Sequence, residues 1–173
     1  MLSAPNQQQI LKFLRLSNEV ARRAMQLGHH PFGAVLVAPD HETVLMMQCN
    51  IDTVNHAEST LARMAASNYP ADYLAQCTLY SAVEPCCMCA GTIYWANIGR
   101  VVYGMTEEKL LACTGNHAEN PTMSVSSAYV FAHGQKQIEL LGPFSEIEEE
   151  TIVLQQGFWR HRSCNTNHAI HHE

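Results

Sequence analysis

Between Cys77 and Met105 the sequence changes its period twice. "CTLYSAV" (77–83) is a short apolar run of strand length, "EPCCMCAGTIYWA" (84–96) reads as a helix, and "GRVVYGM" (99–105) returns to a strand. Pro85 suits a first helical turn, where no backbone donor is needed. The same alternation extends outward. "FGAVLVA" (32–38) and "ETVLMMQC" (42–49) are strand-length runs joined by the turn-like "PDH", which predicts a hairpin. Before them Ile10, Phe13, Leu14, Val20, Ala21, Ala24 and Leu27 form a helical stripe over 6–27, ended by Gly28. "VNHAESTLARMAAS" (54–67) is a further helix. A short helix is expected over 106–115 with Thr106 as its N-cap. "IELLGPF" (138–144) reads as a fifth strand or an edge, and 145–162 as a last helix with acidic first turns. Strands alternating with helices imply an α/β fold, with helices on both faces of one sheet.

A chain of 173 residues is long enough to bury a real core and predicts one domain, over 1–162, with "SCNTNHAIHHE" (163–173) as a flexible tail. His168, His171 and His172 in that tail read as solvated. No apolar run approaches the roughly 18 residues of a membrane span, and the N-terminus lacks a leader pattern. A soluble, cytoplasmic protein is expected. The net charge is −6, and the only basic clusters are Arg22-Arg23 and Arg160-His161-Arg162. A protein that grips a long nucleic acid usually carries a basic stripe, so the charge favours a small substrate. Seven cysteines, an odd number in a leaderless chain, argue against a disulfide framework. Four are scattered singly and read as small buried apolar residues. The other three are crowded into "PCCMC".

Cys86 and Cys89 are three apart, so on a helix they share a face and can hold one metal ion. Cys87 points elsewhere. Alone, the pair also reads as a redox couple, or as half of a structural zinc site completed by Cys113, His117 or the C-terminal histidines. His56 and Glu58 open the 54–67 helix two positions apart, so they converge only on a target off its end. An N-terminus repels a cation unless anionic thiolates accompany it. Two helix N-termini meeting at one metal satisfy this, with His56, Cys86 and Cys89 as ligands to zinc. Three protein ligands leave a fourth position for water, whose pKa zinc brings down to about 7. Glu58 is then the carboxylate beside the water that moves protons.

The order H-x-E … P-C-x-x-C, with "HAE", "TLYSAVEPCCMCAGTIYWA" and "IGRVVYG", resembles the cytidine and deoxycytidylate deaminase superfamily of zinc-dependent nucleobase deaminases. The resemblance covers 6–115 and is strongest at 29–38, 56–64 and 78–104. It implies a three-layer α/β/α fold, with a five-stranded mixed sheet between helices, and a homodimer or larger oligomer. It also implies hydrolytic deamination, with Glu58 shuttling protons while ammonia leaves.

"HHPFGAVLV" and "CMCAGTIYWA" resemble bacterial guanine deaminases. The tRNA adenosine deaminases are similar in "EPC", "MCAG" and "IGRVVYG", but typically have a smaller or aliphatic residue in place of Phe32, and a basic surface. Cytosine deaminases share the zinc motif with less similarity around it. Phe32 and Trp95 are placed to sandwich a ring. The resemblance assigns Asn50 to hydrogen-bond the base, with Asn55 as a rival, and Ala57 beside it. Residues 116–173 match guanine deaminases poorly; Phe158 and Trp159 are available there without an assigned role. The expected activity is deamination of a free base, guanine or a guanine-like pyrimidine such as isocytosine. A tRNA-specific adenosine deaminase is the alternative. Further off stand a cytosine deaminase, and a non-catalytic module closed on structural zinc.

Overall fold

The computed structural model describes residues 3–115 and 117–166. Its elements are α1 (Gln7–Gln26), β1 (Gly33–Val37), β2 (Val44–Cys49), α2 (Ala57–Asn68), α3 (Ala71–Leu74), β3 (Thr78–Val83), α4 (Cys87–Trp95), β4 (Arg100–Met105), α5 (Glu107–Thr114), α6 (Ser127–Ala132), β5 (Glu139–Leu141) and α7 (Ser145–Thr166). Five strands form one sheet in the order β2-β1-β3-β4-β5. The expected hairpin β1-β2 is antiparallel, and β1 also pairs antiparallel with β3. β3, β4 and β5 run parallel, so the sheet is mixed.

Strand alternation divides the core into two layers. Ala34, Leu36, Leu79 and Val101 face Ala57, Leu61, Ile93 and Phe131 of α2, α4 and α6. Val35, Val37, Tyr80 and Val102 face Phe13 and Leu14 of α1 and Ile147 of α7. Every residue of β1, β3 and β4 is buried, as expected for strands covered on both faces. Gly33 is where α1 crosses closest. A Cβ there would stand 2.6 Å from the Ser17 carbonyl oxygen and 2.7 Å from the Ala21 nitrogen.

Several boundaries differ from those expected. Pro85 precedes the N-cap of α4, because Cys86 is still extended at φ −61°, ψ 169°. Proline instead restrains Glu84 to the extended form that finishes β3. α3 and α6 were not anticipated. The first is one turn long; the second follows a polar stretch, and only Ser126 marks it, accepting from the Tyr129 N–H as N-cap. α7 continues to Thr166, so Ser163–Thr166 are helical rather than part of a tail. The rest of that tail, with His168, His171 and His172, lies outside the described residues. No helix among the described residues is long and apolar enough to cross a membrane.

Candidate metal and catalytic site

The site is built where β3 and β4 end, beyond their carboxyl edges, the usual binding position of a sheet with parallel strands. Asp52 folds the loop that approaches it. Its carboxylate accepts from the Val54 N–H (2.8 Å), the Asn55 N–H (2.7 Å) and Asn55 Nδ2 (2.8 Å). These bonds, those from Asn55 foremost, hold the Asp52 carboxyl down at about 2. The loop delivers His56 as N-cap of α2, while Cys86 is N-cap of α4; neither side chain caps its helix, so both are free for a ligand. Cys89 lies on the first turn of α4.

His56 Nδ1 is 3.5 Å from Cys86 Sγ and 3.6 Å from Cys89 Sγ, and the two sulfurs are 3.5 Å apart. Tetrahedral zinc with Zn–S bonds of about 2.3 Å and Zn–N of about 2.0 Å separates its ligand atoms by about 3.5–3.8 Å. The triangle therefore fits that ion. Among the described residues no other group of three such side chains is close enough to hold a metal. Hydrogen bonding from Cys89, and then His56, pulls the Cys86 thiol down to about 4, while the bond to Cys86 and burial push Cys89 up.

Glu58 is 4% exposed. Ser81 Oγ of β3 donates to its Oε1 at 2.8 Å, and Cys89 Sγ lies 3.6 Å from its Oε2. Burial, then the charge of Cys86, raises its pKa. It stands beside the ligand triangle without being part of it. Glu84, which sequence reasoning did not single out, organises the rim. Its Oε1 accepts from the Ser127 N–H (2.8 Å) and its Oε2 from the Glu107 N–H (3.1 Å), tying the starts of α6 and α5 to the end of β3. The signal for it is its place directly before Pro85 and Cys86.

A cavity of about 570 Å³ opens over the triangle, lined among others by His30, His56, Cys86, Glu107, Glu119 and Asn120. A narrow crevice continues to Glu58 and is lined by Phe32, Glu107, Leu110 and Asn120. Phe32 lines this crevice. Trp95 does not. It is 79% exposed at the far end of α4, in a groove with Tyr94, Val130 and His133. It lies six positions beyond Cys89 on α4 and faces that outer groove, so within one chain Phe32 and Trp95 do not sandwich a ring. Ala57 is packed in the core under α2 and lines neither cavity. Asn50 is 1% exposed; its Nδ2 donates to the Asp52 carbonyl, and its Oδ1 has no hydrogen-bond partner among the described residues. Asn55, its rival, is engaged with Asp52 and Arg63.

Phe158 and Trp159 of α7 also acquire a place. Trp159 packs on His30 (ring centroids 4.9 Å) and on His117 (4.9 Å), and Phe158 on His30 (5.9 Å). Trp159 Nε1 donates to Gln155 Oε1, and Gln155 Nε2 to the Pro31 carbonyl. The chain's own last helix thus backs the cavity wall, with His30 Nε2 and Glu119 Oε2 3.5 Å apart in front of it.

Residues 7–105 match the family of the cytidine and deoxycytidylate deaminase zinc-binding region. A probable cytosine deaminase of Schizosaccharomyces pombe is 33% identical over 153 residues, covering 86% of this chain and 91% of the relative. The likeness to the cytosine deaminase extends along most of both chains. The guanine deaminase of Bacillus subtilis is 44% identical over a shorter stretch of 77 residues, 42% of this chain and 49% of the relative. A structure solved for A-to-I editing by tRNA:A34 deaminases superposes with a TM-score of 0.60 and 27% identity, covering 82% of this chain and 99% of the other. With the zinc triangle and the mixed five-stranded sheet, these likenesses place the chain in the cytidine and deoxycytidylate deaminase family, as a zinc-binding hydrolytic deaminase.

Proposed function

We propose that the protein deaminates a free nucleobase, with cytosine first and isocytosine and guanine next. In that reaction water adds to the amino-bearing ring carbon, the exocyclic C–N bond breaks, and the products are an oxo base and ammonia. His56, Cys86 and Cys89 would hold zinc, which supplies a water acidified toward neutral pH. Glu58 takes that water's proton and returns it to the departing amino group, and its burial keeps its affinity for the proton high enough to do both. Ser81 holds the carboxylate in place.

The observation that carries the substrate class is the lining of the cavity. Glu107 and Glu119 face it, and among the described residues no lysine or arginine does. A phosphate near the reacting ring would meet no cation there, whereas a base presents N–H donors that carboxyl oxygens accept. Cytosine moves ahead of guanine for two reasons. The relative aligned over most of both chains is a probable cytosine deaminase. The "IYWA" likeness to guanine deaminases lies at the exposed end of α4, away from the crevice.

The alternative, a tRNA adenosine deaminase, is favoured by the 27% identity to the tRNA:A34 deaminase structure. Ammonia release from the zinc-loaded protein separates the readings. The panel is cytosine, isocytosine, guanine, adenine, their nucleosides, and a tRNA anticodon stem-loop. Turnover of a free base with silent nucleosides is expected. Turnover of the stem-loop alone would sink the free-base reading.

A further inference from the structure

Glu107 is the residue of this cavity whose chemistry the zinc triangle and Glu58 leave unexplained. It opens α5, one residue after its N-cap Thr106, where an acidic side chain ordinarily extends into solvent. Here it is only 7% exposed. Its backbone N–H is used by Glu84, but its carboxyl makes no hydrogen bond or ion pair among the described residues. It lines both the outer cavity and the crevice that reaches Glu58, so it stands at the neck between them. Burial first, and then Cys86, Glu58 and Glu84, disfavour its charged form, and His56 acts in the opposite sense. A carboxyl this nearly enclosed, with no protein donor and a cavity beside it, is one whose missing partner a ligand in that cavity can supply.

We propose that Glu107 is a specificity residue whose carboxyl accepts a hydrogen bond from the ring N–H that a free base carries where a nucleoside carries its sugar. This rests on the free-base reading above. A ring that directs its amino carbon at Glu58 and the metal triangle must pass the neck, and its far edge then faces Glu107. A base with an N–H there satisfies the carboxyl. A base substituted at that nitrogen leaves the carboxyl buried and unpaired, and brings a carbon against it. Sites built to bond a substrate N–H reject analogues lacking it more strongly than apolar pockets reject size differences.

The test compares the zinc-loaded wild type with Glu107→Ala and Glu107→Gln. Each receives cytosine against 1-methylcytosine, and guanine against 9-methylguanine. Wild type is expected to prefer the unmethylated base by roughly 100-fold or more in kcat/KM. Glu107→Ala should bring that ratio below about 10, mainly through KM, whereas Glu107→Gln keeps an acceptor oxygen and should retain part of it. The same contrast is read in binding, by calorimetry with 2-pyrimidinone and 1-methyl-2-pyrimidinone, which carry no amino group to lose. Zinc content and Tm should not fall in Glu107→Gln; a lowered Tm with an unchanged ratio would make the residue structural. A free base turned over with the same ratio in all three proteins overturns the role of Glu107 alone. No turnover and no binding of any free base by the wild type overturns the free-base reading, and this role with it.

Discussion

Glu58 has one hydroxyl to hold it and almost no water around it, conditions suited to a group that takes up and releases a proton within one turnover. Glu58→Ala removes that carrier without touching the triangle. It should keep one zinc per chain while kcat falls by about 10³-fold, within the usual range for losing a positioned acid-base group. Wild-type ammonia release from that variant would rule out the assignment. Cys87 offers a contrast from within the same motif. Its sulfur lies 3.7 Å from Met123 Sδ, outside the triangle. Cys87→Ser should retain zinc and turnover, and zinc loss measured by atomic absorption would overturn the ligand set. The buried acids also set a pH dependence. Burial raises the Glu107 carboxyl from 4.5 to about 8, and burial shifts Glu58 in the same direction. The folded state therefore holds these protons more tightly than the unfolded chain does. The stability Glu107 contributes is complete below the unfolded value of 4.5 and is lost as pH rises through about 8, and Glu58 acts in the same direction. In urea titrations of the zinc-free protein the midpoint should fall from pH 5 to pH 8, and Glu107→Gln should flatten that fall. A midpoint equally steep in the variant would mean that Glu107 does not cause it.

The elements position the site by their ends. β3 stops at Val83, Glu84 turns the chain, and α4 starts beyond Cys86, so one short segment supplies two metal ligands and a clamp for two further helices. The Asp52 loop does the corresponding work for His56. Asp52→Ala would leave three donors of that loop without their acceptor and loosen the ring it presents. Zinc affinity should drop roughly 10-fold in a chelator competition, the scale seen when groups that orient metal ligands are lost. An unchanged affinity would show that α2 alone fixes the imidazole. α7 matters in a different way, as a wall. Trp159 is 2% exposed, and Trp159→Ala should cost about 3–5 kcal/mol in chemical denaturation. If α7 backs the cavity as described, KM should rise as well, because His30 loses the ring it rests on. The helix itself was legible in the acidic start of 145–162. Its docking on Pro31 and His30 was not, since contacts across more than a hundred residues leave no periodic trace.

Across the whole molecule the sheet is joined to the N-terminal segment through one buried cation. Arg100 is fully buried; its Nε donates to Glu139 Oε2 (2.8 Å), its Nη1 to Thr78 Oγ1 (3.3 Å) and its Nη2 to the Ser3 carbonyl (2.9 Å). In sequence it is an unremarked residue at the start of "GRVVYGM", and its partners lie in β3, β5 and the segment before α1. Charge alone does not announce a structural role, because long-range partners are chosen by the fold. The distinction holds for the site. The grouping of His56, Cys86 and Cys89, with Glu58 beside them, was legible because each pair keeps a short local spacing at a helix end; the proposed role of Glu58 as proton carrier follows from that placement. The two-period alternation likewise determined the layered α/β architecture, since a buried strand and an amphipathic helix each bury only one pattern. What surrounds the reacting centre was decided by tertiary structure. Phe32 reaches the crevice and Trp95 is turned to solvent, though both are aromatic and each lies in a motif that resembles guanine deaminases. Glu107, ordinary at a helix start in the sequence, becomes a buried carboxyl only when α5, the end of β3 and the 117–123 loop close around it. Pocket walls are assembled from segments distant in the chain, and their contacts follow from packing rather than from any local repeat.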